Sequence, residues 1–184
     1  RGEDFNDTCV DDKYKKNTSW NFWGSFAGRE RRPHLFWEPE WWKINSEGYR
    51  KYILPGVIHW IHSKRRETGG VYMLMQDISP IHLASPAMNS LEANGIVAMS
   101  WPANSPDLNP IEYVGSIMKS YIQGNYPEFE RTRQRNKAEV QVIVEEAWFQ
   151  CTNEDKLFRL IDSMNRRCEE VFRADRGPTS YKLK

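Results

Sequence analysis

Apolar residues recur along this chain with changing periods, and each change marks the border of an element. From Trp20 to Phe26 bulky aromatic residues crowd a short run, and Pro33 to Trp37 reads as its hairpin partner. After Asn45-Ser46, which offers a helix cap, Tyr49, Tyr52, Ile53, Val57, Trp60 and Ile61 recur at helical spacing. Pro55 should kink or end that helix, because proline lacks an N–H and its ring crowds the preceding turn. Lys64 to Gly70 is expected as a turn and Val71 to Gln76 as a buried strand. A short helix then runs from Ser85 or Pro86 to Asn94, stopped by Gly95, and Ile96 to Met99 is a further strand.

The remainder is helical. One helix starts at Pro110 and ends near Gly124. A second, Lys137 to Gln150, places Val140, Ile143, Val144, Ala147 and Trp148 on one side. A third starts at Thr152 and runs from Asn153 to about Ala174, with Leu157, Leu160, Ile161, Met164, Cys168, Val171 and Phe172 as its apolar stripe. Strands alternating with helices in the middle of the chain imply a sheet covered by helices. No repeat, low-complexity segment or long linker divides the chain. Residues 1–18 are polar and irregular.

Composition narrows the class more than the chemistry. A chain of 184 residues with 13% aromatics and eight tryptophans suits one folded domain rather than disorder. The formal net charge of +1 rules out a uniformly basic surface. Basic residues do cluster at Arg29/Arg31/Arg32, Lys64/Arg65/Arg66, Arg131/Arg133/Arg135/Lys137 and Arg166/Arg167, as solvated faces or as contacts to DNA phosphates. Cys9, Cys151 and Cys168 are too widely spaced for a zinc motif and fit a reducing compartment. His59 and His62 share a helix face but have no further ligand nearby, so they read as surface histidines. No apolar run approaches the roughly 20 residues that span a bilayer, and no secretory leader is visible.

Candidate chemistry rests on two acids separated by 34 residues, Asp77 and Glu112. Asp77 closes an apolar run, and Glu112 opens a helix behind Trp101-Pro102-Ala103-Asn104-Ser105-Pro106-Asp107-Leu108-Asn109-Pro110-Ile111. Carboxylates on separate rigid elements suit a hard divalent cation such as Mg²⁺. Each also has a structural reading. Asp77 can begin an Asx-turn, and Glu112 can complete a capping box with Asn109 as the cap and Pro110 at the first helical position.

Gln76-Asp77-Ile78-Ser79-Pro80-Ile81-His82, the short helix ending in Asn94-Gly95-Ile96, and WPANSPDLNPIE together resemble the core of mariner-superfamily DDE transposases, in their fungal branch at the closing Ser163-Met164-Asn165-Arg166-Arg167-Cys168. Phe22-Trp23-Gly24-Ser25-Phe26 is similar to the family's Trp-Gly strand and Tyr52-Ile53-Leu54-Pro55 to the end of its next helix. The resemblance implies a ribonuclease-H-like α/β fold, a mixed sheet flanked by helices. It implies residues 1–125 as the catalytic domain and 126–184 as a helical extension packed on it. Asp77 would be the second catalytic acid and Glu112 the third, holding two Mg²⁺ or Mn²⁺ ions for DNA cleavage and strand transfer. His82, Asn109 and Lys119 would stand behind them, and Lys64, Arg65, Arg66, Arg131, Arg133 and Arg135 are candidates for DNA contact. Transposon-end and target DNA, a second copy or an intact transposase are the implied partners, and the nucleus the implied location.

The chain departs from the family pattern in three places. The opening strand with the first acid is expected to be missing, since Arg1-Gly2-Glu3-Asp4-Phe5 matches the end of the second strand. Asp4, Asp7, Asp11 and Asp12 lie in a polar stretch that reads as a loop. Ile78 stands where the family has Asn, and Gly115 where it has Trp. The expectation is a truncated domain that does not catalyse alone. The alternative is a non-catalytic relic or a domesticated DNA-binding or protein-interaction module.

Overall fold

In the computed structural model, which describes residues 21–36, 38, 45–99, 102, 105–127, 136–175 and 179–181, the aromatic run folds as a hairpin. Strand β1 (Phe22–Ala27) pairs antiparallel with β2 (Glu30–Phe36) around Gly28, whose φ of +58° is open to glycine at no steric cost. Phe22 and Phe26 pack into one hydrophobic cluster, Trp23 and Leu35 into another. The hairpin therefore has a core on each side.

The first core is built by a helix that changes pitch. Asn45 caps α1 (Ser46–Gly48) by accepting from the Gly48 N–H at 2.8 Å. A π-type turn, Tyr49–Ile53, follows, and α2 (Leu54–Thr68) continues from it. The Leu54 N–H reaches back five residues to the Tyr49 carbonyl. Pro55 neither ends nor breaks this helix; the wider turn just before it takes up the missing donor. Tyr49, Ile53, Leu54, Val57 and Ile61 bury against Ala87 and Leu91 of α4 (Ser85–Ala93) and against Ile96.

Two expectations fail beside it. Lys64 to Thr68 is the last turn of α2 rather than a loop, because nothing interrupts the helix before Gly69, which ends it at φ +67°. Val71 to Gln76 is not a buried strand. Only Leu74 pairs, by a parallel bridge to Ala98, and Val71 and Met73 are 89% and 52% exposed. Tyr72 and Leu74 pack on the first core, whereas Val71 and Met73 on the alternate side are exposed.

The second core joins α5 (Pro110–Asn125), α6 (Lys137–Cys151) and α7 (Glu154–Asp162) through Val114, Met118, Ala147, Trp148, Cys151 and Leu160. The C-terminal helices thus pack on the hairpin through Trp148, whose ring lies 5.5 Å from that of Phe22. The cap of α7 is Asn153, which accepts from the Lys156 N–H; Thr152 turns its hydroxyl back to the Trp148 carbonyl instead. The expected single helix to Ala174 divides at Ser163 into α7 and α8 (Met164–Arg173). Its apolar stripe also fails beyond Leu160. Phe172 is 87% exposed and Cys168 is exposed, and the residue α8 buries is Arg167. Among the described residues, no helix is long and apolar enough to cross a membrane. The opening stretch with Asp4, Asp7, Cys9, Asp11 and Asp12, together with Trp20, Trp37, Trp101, Ala103, Asn104, Arg131, Arg133 and Arg135, lies outside the described residues.

Two measurements check this packing. A Cβ on Gly24 would come within 2.8 Å of the buried Trp148 ring, so Gly24→Ala is expected to lower unfolding free energy by about 1–3 kcal/mol in urea titrations. Glu146 of α6 accepts from the hydroxyls of Tyr121 and Tyr126, both at 2.6 Å. These bonds hold its carboxyl below the ordinary 4.5, and the bond to Glu146 foremost pushes Tyr121 up from 10.0 to about 12. A lowered carboxyl stabilises the fold above its unfolded pKa, and a raised phenol stabilises it below its own. Glu146→Gln should therefore destabilise most between pH 4.5 and 10. The gap to the parent should narrow as acid titrates the carboxylate or as pH rises toward 12.

Candidate active site

Asp77 is held by its own turn. Its Oδ1 accepts from the Ser79 N–H at 3.2 Å, an Asx-turn that leads into the short helix α3 (Pro80–Leu83). His82, on that helix, brings Nδ1 to 2.6 Å from the same oxygen. The aspartate thus has both a structural and a positional role. Its other carboxylate oxygen takes no hydrogen bond among the described residues.

Behind His82 stands Tyr49. Their ring centroids are 4.6 Å apart, and the Tyr49 hydroxyl donates to Gln76 Oε1 at 2.8 Å. Burial above all, with a contribution from the Asp77 charge, pushes the Tyr49 phenol well above its ordinary pKa. It remains a neutral donor, and the pair ties the residue before Asp77 to the first core. Sequence reading placed Tyr49 in that core and missed this second role. The signal was present in the Gln76-Asp77 pairing, but nothing local linked it to a residue 27 positions away.

Glu112 arrives from another direction. Pro106–Leu108 forms a 3₁₀ turn, Asn109 stands before α5, and Pro110 occupies its first turn. The expected capping box is not formed. Asn109 has φ −98° and ψ 99°, and its side chain makes no cap bond, so Glu112 is tied only through its backbone N–H to the Asn109 carbonyl. The carboxylate is left exposed.

Asp77 and Glu112 line one cleft of about 280 Å³, together with Ser79, Ser105, Pro106 and Asn109. Asn109 is therefore a neighbour of both acids. Lys119 is not among the lining residues; it is exposed two turns further along α5. A Cβ at Gly115 would meet open space. The donor set is carboxylate and hydroxyl oxygen, which suits Mg²⁺ or Mn²⁺ rather than zinc. Among the described residues, no three His, Cys, Asp or Glu side chains cluster as a full ligand set.

The other sequence candidates are largely bound to protein. Lys64 lies 2.9 Å from Glu67 and 3.3 Å from Glu30. Arg65 donates to the carbonyls of Gly95 and Tyr72, fastening α2 to the segment before Asp77, and Arg66 donates to Ser63. His62 contacts the Asn94 carbonyl at 2.9 Å and is half-buried rather than on the surface.

Arg167 is the residue that sequence reading misjudged. Only 3% exposed, it donates to Ser163 Oγ and to the Asp107 carbonyl, both at 2.8 Å, with the Tyr181 ring 4.3 Å away. Thr179 adds a hydroxyl bond to the Asp107 carboxylate. The C-terminal segment thereby fixes the turn that delivers Glu112. Arg167→Met keeps most of the side-chain volume but orphans the Asp107 carbonyl. It is expected to cost about 2–3 kcal/mol in urea unfolding, with faster amide exchange at residues 107–112 than elsewhere.

Comparison with known proteins agrees with this arrangement. The family model described as DDE superfamily endonuclease matches residues 7–133. The Tc3 transposase of Caenorhabditis elegans is 25% identical over 163 residues, covering 86% of this chain and 45% of that protein. The Tcb2 transposase of Caenorhabditis briggsae is 27% identical over 117 residues, or 64% of this chain and 40% of that one. The chain spans less than half the length of these relatives. Among solved structures, the Mos1 transposase catalytic domain with raltegravir and Mn superposes with a TM-score of 0.70 at 16% identity, over 88% of this chain and 82% of that one. The Mos1 paired-end complex with the left transposon end gives 0.67 at 18%, over 85% and 44%. The fold is the ribonuclease-H-like one of these neighbours, with antiparallel pairing in the hairpin and a parallel bridge at Leu74. With a match that runs through both Asp77 and Glu112, the chain belongs to the DDE superfamily of endonucleases.

Proposed function

We propose that this domain serves metal-dependent cleavage and strand transfer of DNA phosphodiesters, with Asp77 as the second and Glu112 as the third acid of the triad. The observation that carries the reading is the shared cleft, into which two separate elements bring two carboxylates. Asp77, fixed at one oxygen by His82 and Ser79, is oriented in advance, as carboxylate ligands backed by outer hydrogen bonds are. Glu112, free of a capping role, is available to the same cation. Bound there, Mg²⁺ or Mn²⁺, two ions in the full set, would supply Lewis-acid charge for displacement at a phosphodiester. His82 keeps the Asp77 rotamer, and Asn109 supplies a polar wall.

Solved relatives support the metal and the substrate: Mos1 catalytic domains were solved with raltegravir and Mn or Mg, and Mos1 was solved as a paired-end complex with the left transposon end and as a strand transfer complex. DNA ends and target DNA are the proposed partners, with a second copy or an intact transposase as the protein partner and the nucleus as the place of action. The proposed division is residues 1–125 for catalysis and 126–184 as the extension. Acting alone, the chain is proposed to bind the cation without turning over DNA, since the cleft's described lining offers two carboxylates.

Mn²⁺ titration followed by electron paramagnetic resonance tests the site. Asp77→Ala and Glu112→Ala should each weaken uptake by about tenfold or more, and unchanged uptake would remove both from the metal site. A plasmid-nicking assay tests the second part. No nicking above the Asp77→Ala background is expected with either cation. Cation-dependent nicking that Asp77→Ala abolishes would show a complete triad, with a first acid supplied among Asp4, Asp7, Asp11 and Asp12.

A further inference from the structure

A cleft larger than the one between Asp77 and Glu112 lies elsewhere. It measures about 610 Å³ and lies between α5, α7 and α8, beginning at Tyr113, the residue after Glu112. Lys156 and Arg159 of α7 line it, and so does Arg167 of α8. No carboxylate is among its lining residues. Three cations from two helices thus line it; Arg167 is buried and feels Asp107, Ser180 is bonded to the Glu170 carboxylate, and Lys156 and Arg159 are the exposed charges that a polyanion could meet.

The remaining lining narrows the class of polyanion. Ser116, Ser163 and Ser180 share the lining, with the Ser163 hydroxyl donating to the Leu160 carbonyl and the Ser180 hydroxyl to Glu170, and the rings of Tyr113 and Tyr181 flank Arg167 at 5.7 and 4.3 Å. Arg and Lys interleaved with hydroxyl donors is the set that contacts phosphate oxygens of nucleic acid, and tyrosine faces add stacking for unpaired bases. Arg167 is already spent on Asp107 and Ser163, so it contributes a fixed buried charge. Lys156 and Arg159 are exposed. Lys156 makes a bond to the Gln150 carbonyl at 2.8 Å that a phosphate could replace, and the Arg159 guanidinium has no hydrogen bond or ion pair among the described residues.

We propose that this cleft binds the sugar-phosphate backbone of a DNA strand, without sequence preference, and leads it along α5 past Glu112. The proposal rests on DNA being the substrate, and it assigns the contact to Lys156 and Arg159 rather than to the basic clusters of α2. Holding the strand beside the helix that carries the third acid gives that helix two tasks at adjacent residues.

Fluorescence anisotropy of labelled single-stranded and duplex DNA across a salt series tests it. Lys156→Glu with Arg159→Glu should weaken binding at least tenfold and flatten the slope of log affinity against log salt by about 1.5, the loss of two phosphate contacts. The same charge change at Arg50→Glu with Lys51→Glu, on the other core, is the control and should leave the slope in place. Lys156→Gln with Arg159→Gln, checked for folding by circular dichroism, should fall between. Equal losses in the reversal and its control, or no DNA affinity in the parent chain, would overturn the proposal, as would binding of polyglutamate in place of DNA. Mn²⁺ uptake separates the two readings. A salt slope lost in the Lys156/Arg159 reversal, with Mn²⁺ uptake unchanged by Asp77→Ala, sinks the catalytic assignment alone; uptake weakened by Asp77→Ala, with a salt slope unaltered by the reversal, sinks this one alone.

Discussion

The buried guanidinium of Arg167 is the interaction on which the geometry of this domain turns. Expected in a solvated or DNA-contacting basic cluster, it is instead buried and bonds the carbonyl of Asp107, 60 residues earlier. A charge buried this deeply is tolerated only when every donor finds a partner, and here a carbonyl, a serine hydroxyl and two tyrosine rings share the task. Burial lowers its pKa, against the opposing pull of Tyr181, Tyr113 and Asp107. The consequences run both ways along the chain. Ser163, drawn to Arg167, divides the last helix, and the turn at Pro106–Leu108 is fixed in the attitude that starts α5 and aims Glu112.

The hairpin performs the matching task for the other acid. With Phe22 and Phe26 on one cluster and Trp23 and Leu35 on the other, it is the layer against which both cores are built. Asp77 belongs to the first core through Tyr49 and Gln76, and Glu112 to the second through the neighbouring Val114. The two carboxylates therefore meet at a seam between separately packed halves. Between those halves Gly24 leaves room for the buried Trp148 ring, which an added methyl group would press at 2.8 Å.

What was legible in the sequence was whatever local chemistry decides. Asn45 as a cap, Gly95 as a stop, Pro110 at the start of α5 and the periodicity of α6 all depend on residues within a turn or two. The pairing of Asp77 with Glu112 was legible through motif wording rather than periodicity. What was not legible depended on distant partners. Val71 to Gln76 has the composition of a buried strand, but burial requires neighbours on both sides, and among the described residues its strand-type pairing is confined to the bridge at Leu74. The stripe on α8 failed because Arg167 found a carbonyl 60 residues away, which spacing cannot reveal. Asn109 read as a cap by residue type, yet the preceding 3₁₀ turn sets it at a ψ of 99° and its side chain does not cap.

That last failure bears on chemistry. A carboxylate locked in a capping box spends an oxygen on the helix's own N–H, and a ligand must compete for it. Glu112 makes no such bond, so its charge stays in the cleft, near the helix N-terminus that favours it. Asp77 solves the opposite problem. It ends a segment with little sheet pairing, and without help its side chain would wander; His82 and Ser79 restrain one oxygen and leave the second for a ligand. One acid has its backbone placed by a helix and the other has its carboxylate held by hydrogen bonds. The Asp77 carboxylate is therefore oriented in advance, whereas the exposed Glu112 side chain is placed by its helix and is free to turn toward a ligand in the cleft.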